Sequence, residues 1–255
     1  NAMNESIPKL IYGSVFIQKL VNYTTEILIE RYKRFSVEGR PLFALTTTEN
    51  LLEDHLNNIR KCIIPIEEYL IDLSLVPNFL KIKRNQISSI YADLSEEQYF
   101  KYHYDNFIIR IATSVDICGK LGNTVYSLNI PERKCNGYSF VNHPSVKNLD
   151  CSTKLNELIE YLKPLLQTRH IKVHKGESSE NKFSNVMFYD WWPVDMKEKM
   201  KGHVSILNEI TNEDIKSISI QIHDVISEMT ERLCRFLDSM ITRLDELIDK
   251  HKHCR

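Results

Sequence analysis

Apolar residues recur at helical spacing along most of the chain. The stripe Ile11, Val15, Leu20, Ile27 and Leu28 predicts a first long helix over about 8–35. Gly39 and Pro41 mark residues 36–47 as a loop. Leu51, Leu52, Leu56, Ile59 and Ile63 predict a second helix from about Thr48, which Pro65 is expected to kink or break. Residues 76–93 are ambiguous, since Ile82, Ile87 and Ile90 fit a short strand or irregular chain, and receive no assignment. Ser95 with Gln98 is a capping-box signature that opens a third helix through Tyr99, Phe107, Ile111 and Val115 to about Leu121, where Gly122 is placed to end it.

Residues 123–150, with Pro131, Gly137 and Pro144, read as partly loop. After Ser152 the run Leu155, Leu158, Ile159, Leu162, Leu165 and Leu166 predicts a fourth helix, ending where the basic Lys175 meets Gly176. Residues 177–182 are polar loop, and the aromatic 187–193 suggests a short extended or turn segment. A last stripe, Ile215, Ile218, Ile222, Val225, Met229, Phe236, Met240 and Leu247, follows the pair Thr211 and Asp214. It predicts one helix of about 40 residues, longer than a typical globular helix. The pattern as a whole specifies an all-α helical bundle with long antiparallel helices and irregular insertions, a single domain over 3–255; Asn1 and Ala2, ahead of Met3, read as a cloning remnant.

Composition supports this picture. Only 7 Gly and 8 Pro in 255 residues argue against a turn-dense all-β protein, and 42% hydrophobic residues argue against disorder. A net charge of −1 excludes a globally basic nucleic-acid coat and leaves local patches open. No stretch is apolar enough for a membrane span, and the run 10–21 is broken by Gln18 and Lys19 and lacks a cleavage site, so neither membrane nor secretory signal is expected. Six cysteines without a CxxC pair read as free thiols in a reducing cytoplasm.

The chemistry concentrates at the end of the fourth helix, in Thr168-Arg169-His170-Ile171-Lys172-Val173-His174-Lys175-Gly176. Extending the stripe 155, 158, 159, 162, 165, 166 reaches 169 and 173, so Arg169 occupies a position patterned for the core. A buried guanidinium needs a partner, because an uncompensated buried charge costs several kcal/mol. His170 and His174 are four apart and share a helix face. From 164 to 176 there are Arg169, Lys172, Lys175 and two histidines but no acid, a positive spot in a neutral chain. A solvated helix end is the plain reading of those charges.

Arg-x4-His with a polar residue after the arginine, at the end of a long helix, resembles the HEPN superfamily (higher eukaryotes and prokaryotes nucleotide-binding). The bare Arg–His spacing is common; the polar residue and the helical context make it more specific. The long helix within 99–123 preceding the motif helix is similar to the helix pairing of bacterial HEPN proteins, so the resemblance covers about 95–175, with flanking helices over 8–75 and 211–253. It implies a metal-independent endoribonuclease without a cofactor, acting on RNA in a site formed at a homodimer interface, and a toxin or phage-defence role with an antitoxin protein as partner. Arg169 and His174 then form the catalytic pair, His170 shapes the site, and Lys172 and Lys175 contact RNA. Members silenced by nucleotidyl transfer carry a tyrosine two residues after the histidine; Gly176 stands there in this chain. Other members keep the fold as non-catalytic nucleotide- or protein-binding modules. A third reading is a structural protein whose long C-terminal helix pairs with another subunit.

Asp116, in the apolar run 108–118, is the plainest counter-ion for Arg169, with Arg110 six residues earlier as a competing partner for it. His103 and Asp105 form a candidate supporting pair, although such pairs are more often surface features. Trp191 and Trp192 could stack a base, but adjacent tryptophans more often pack. His251, His253 and Cys254 sit at a chain end expected to fray, which argues against metal.

Overall fold

The computed structural model describes residues 11–41, 48–81, 96–175 and 201–253. The helices are α1 (Val15–Glu38), α2 (Leu51–Phe79), α3 (Glu96–Tyr126), α4 (Gly137–Val141), α5 (Asp150–Lys175), α6 (Lys201–Asp238) and α7 (Ile241–His253), with a 3-10 turn at Glu132–Lys134. No strand occurs among the described residues, and the fold is the all-α helical bundle that the apolar pattern specifies.

The helix boundaries depart from the pattern in instructive ways. α1 buries Phe16, Ile17, Leu20, Tyr23, Ile27, Arg31 and Phe35, and it runs three residues past the expected end, to Glu38, with Gly39 as its cap. Gly39 takes the left-handed φ of 65° that closes a helix, and Arg40 N–H returns to the Phe35 carbonyl at 2.9 Å. The other end of α1 is capped from outside: Asp238 Oδ1 accepts from Ser14 Oγ (2.6 Å) and from Phe16 N–H (3.1 Å). α2 passes through both Pro65 and Pro77 without a break. Each proline forfeits one backbone bond, and the buried Ile63, Ile66, Leu70, Leu73 and Val76 hold the helix together around them. The unassigned stretch after Val76 begins as the last turn of α2; residues 82–95, including Ser95 of the expected capping box, lie outside the described residues.

Gly122 does not end α3, which continues to Tyr126. Its role is packing. A Cβ there would lie 2.4 Å from the Phe140 ring, and one on Gly119 would lie 2.3 Å from the Asn136 carbonyl. The two glycines, one turn apart, let the α4 segment settle against α3. That segment starts on a capping box, with Asn136 Oδ1 accepting from Ser139 N–H and Ser139 Oγ accepting from Asn136 N–H, both at 2.8 Å. Gly119→Ala therefore forces backbone apart and is expected to destabilise by about 3 kcal/mol, read as a lower urea midpoint. An unchanged midpoint would mean that α4 is not seated as described.

α5 starts at Asp150, ahead of Ser152, and continues through Pro164 to Lys175. Leu155, Leu158, Ile159 and Leu162 are buried, while Leu165 and Leu166 are half-buried. The expected C-terminal helix is two: α6 begins at Lys201, so Thr211 and Asp214 lie inside it, and the chain breaks at Ser239 and Met240 before α7. At the break Met240 N–H bonds the Leu237 carbonyl at 3.0 Å, a tighter turn than α, and Ser239 Oγ bonds the Phe236 carbonyl. Among the described residues no helix is long and apolar enough to cross a membrane.

The chain forms two compact units: Asn1–Leu70, Ser114–Tyr161 and Met229–Arg255 make the first, and Ile71–Thr113 and Leu162–Glu228 the second. The first is built on Phe16, Leu56, Ile59, Leu121, Phe140 and Phe236, the last two meeting edge to face at 6.2 Å. The second buries Leu73, Phe100, Phe107, Ile108, Leu162, Ile222 and Ile226. In the second, His103 stacks on Phe79 (4.5 Å) and meets Tyr99 edge-on (4.4 Å), and burial lowers its pKa. His55 is lowered likewise, by burial first and then by Arg243. Both imidazoles bind a proton less readily folded than unfolded, so stability is full above the unfolded value of about 6.5 and declines as the pH falls through it. The thermal midpoint is expected to drop between about pH 7.5 and 5.5, and His103→Phe, which keeps the stack, to flatten that drop. The same slope in the variant would remove His103 from it.

Candidate functional site

The expected site lies on the last two turns of α5. The helical backbone reaches Lys175, so residues 169 to 175 share one continuous helix. Arg169 is half-buried in the second unit, and its Nε is shut away from water with no hydrogen-bond partner. The Nε atoms of Arg31 and Arg232 share this condition, so it does not by itself set Arg169 apart. The side chains of His170, Lys172, His174 and Lys175 lie outside the described residues, as do Trp191, Trp192 and Cys254. On a regular helix, residues five apart stand about 140° apart around the axis and about 7.5 Å along it. The backbone thus presents Arg169 and His174 on different flanks of α5.

Arg110 pairs through Nη1 with Asp72 of α2, a partner the pattern does not single out. Asp116 is half-buried on α3, and its charge adds to burial in pushing the buried Cys118 thiol up to about 12, which makes that sulfur inert. His103 belongs to the aromatic cluster described above; two residues on, Asp105 points to another side of the helix. His251 corrects the expectation of a frayed end. It is 1% exposed, its Nδ1 lies 2.7 Å from the Tyr23 hydroxyl and its Nε2 3.3 Å from Asn50 Nδ2. Asn50 Nδ2 can only donate, so Nε2 accepts and Nδ1 carries the hydrogen towards Tyr23. His253 is exposed and bonds the Asp249 carbonyl. No cluster of three metal-ligating side chains exists among the described residues.

Around His251 lies a polar cluster that the pattern reading passes over. Arg31 (4% exposed) and Glu53 (7% exposed) form a buried ion pair, Nη1 to Oε1 at 2.7 Å. Glu53 also closes the start of α2: its Oε2 accepts Glu49 N–H and its own N–H donates to Asn50 Oδ1, both at 2.8 Å. Glu49 binds Arg34, which holds its carboxyl below the usual range. The signal for this cluster was present in the sequence. Arg31 falls in the stripe 27, 31, 35 of α1, as Arg169 falls in that of α5.

A family model of Cthe2314-like HEPN domains matches residues 49–227, well over half of the chain. The matched stretch contains the whole Arg169–His174 motif and extends beyond 95–175 on both sides. No curated protein and no solved structure matches the chain. An all-α bundle with an Arg-x4-His motif on a long helix, inside a family match of this extent, leads to one statement of kinship: the chain belongs to the Cthe2314-like HEPN family.

Proposed function

We propose that the chain is a metal-independent endoribonuclease whose site is assembled from two copies of the α5 motif. The reading is supported by the position of Arg169 and His174 on the last turns of α5, within the family-matched residues. RNA brings its own nucleophile. A base takes the proton of the 2′-OH, the oxygen attacks the adjacent phosphorus, and the P–O5′ bond breaks as an acid protonates the leaving 5′-oxygen. The products are a 2′,3′-cyclic phosphate and a 5′-OH. His174 is suited to the proton transfers near neutral pH. Arg169 keeps its charge and can bind two oxygens of the pentacoordinate phosphorus at once. With the two residues on different flanks of one helix, a second protomer supplies the groups that a single α5 does not bring together. His170 shapes the site, and Lys172 and Lys175 hold the flanking phosphates.

The test uses an oligodeoxynucleotide containing one ribonucleotide. Cleavage is expected only on the 3′ side of the ribose and leaves a cyclic phosphate. Cleavage of the all-DNA strand would defeat the 2′-OH mechanism. Binding of RNA without cleavage would favour the non-catalytic module of the same family.

A further inference from the structure

A cavity of about 420 Å³ lies between α1 and the first turns of α2, within the first unit. Its wall is apolar where Ile27 and Leu28 of α1 face Leu56 of α2. Its charged lining is unbalanced among the described residues: Arg31, Arg60 and Lys61 against the carboxylate of Glu53. Glu53 is committed to Arg31 at 2.7 Å, so the excess charge resides on Arg60 and Lys61. Lys61 Nζ reaches only the neutral Asn58 Oδ1, at 3.4 Å, and no described residue pairs with Arg60. A second cavity of about 430 Å³ shares Arg31 and Glu53 but has Glu30 and Glu49 beside Arg34, and shows no such excess.

A buried ion pair is costly to place in a core, and here it forms the floor of a cavity with one apolar wall and a cationic rim. We infer that the α1–α2 cavity binds a small organic anion, its apolar body against Ile27, Leu28 and Leu56 and its anionic head held by Arg60 and Lys61. The volume is that of a ligand pocket with room for a ring and its head group. Charge-assisted bonds from the two cations would supply the preference for the anion over its neutral analogue. Nothing in this inference depends on the ribonuclease reading.

The experiment is calorimetric titration of the full chain with 1-naphthyl phosphate, 1-naphthoate and 1-naphthol at fixed ionic strength. One-site saturable binding of an anion is expected, with 1-naphthol about tenfold weaker or worse. Tighter binding of the phosphate than of the carboxylate would identify organic phosphates as the ligand class, and the reverse order carboxylates. Arg60→Ala/Lys61→Ala is expected to weaken the anion by about tenfold or more. Leu28→Glu, at a position 39% exposed, is expected to abolish binding while leaving the thermal midpoint in place. Equal binding of 1-naphthol, no saturable binding of either anion, or unaltered affinity in the double variant would overturn the inference.

Discussion

Replacing His174 with alanine is expected to reduce RNA cleavage about a thousandfold, the usual worth of a positioned acid or base. Arg169→Ala should cost about a hundredfold to a thousandfold, as loss of one charge-stabilising group does elsewhere. The two variants separate function from architecture through their stability. If Arg169 serves the phosphate, its removal leaves the thermal midpoint near that of the wild type, since its Nε holds no hydrogen bond in the fold. If instead Arg169 ties helices together, the midpoint falls and activity falls with it. Arg169→Lys sharpens the distinction: it keeps the charge but loses the planar fork, so it should fold normally and cleave poorly.

The second large effect is expected in stability. Glu53→Ala removes the partner of a guanidinium that is 4% exposed and, in the same stroke, the acceptor that closes the start of α2. Breaking one side of a buried pair costs about 3–5 kcal/mol. Glu49, with an oxygen 3.8 Å from Arg31 Nε, takes up part of the orphaned charge, which favours the lower end. For a chain of this size each kcal/mol lowers the thermal midpoint by about 2–4 °C, so a fall of roughly 10 °C is expected by circular dichroism. Arg31→Met combined with Glu53→Leu removes both charges and should recover most of that loss. A single variant as stable as the wild type would mean that the pair does not hold α1 to α2.

Helical periodicity alone made the fold class legible, because each long helix buries one face and leaves the other wet. The errors fall where a local signal competes with packing. Pro65 reads as a break, yet α2 continues because the apolar residues on either side of it are locked in the core. Gly122 reads as a stop, yet it is a notch for Phe140, and a missing side chain looks the same in sequence whichever purpose it serves. The turn between α6 and α7 leaves no mark in the apolar stripe, since Met240 is buried within the break itself. It is visible only once Asp238, at the end of α6, is seen capping α1 across more than two hundred residues of chain.

The signal at Arg169 is of a different kind. A charged residue in an apolar stripe is a local contradiction that a single sequence displays, and it singles out Arg169. Arg31 presents the same contradiction on α1, and its partner Glu53, 22 residues away, gives no periodic signal of its own. The position of His251 near the end of the sequence suggests fraying, whereas Tyr23 and Asn50 hold it in the core.

Cleavage of RNA by this chain's own residues, without a metal, can be measured directly. A structured RNA pool is incubated in EDTA with the wild-type protein and, in parallel, with His174→Ala. The predicted result is cleavage by the wild type alone, leaving 2′,3′-cyclic phosphate ends. Intact RNA in both reactions, from folded protein, or equal cleavage in both, would contradict the proposal.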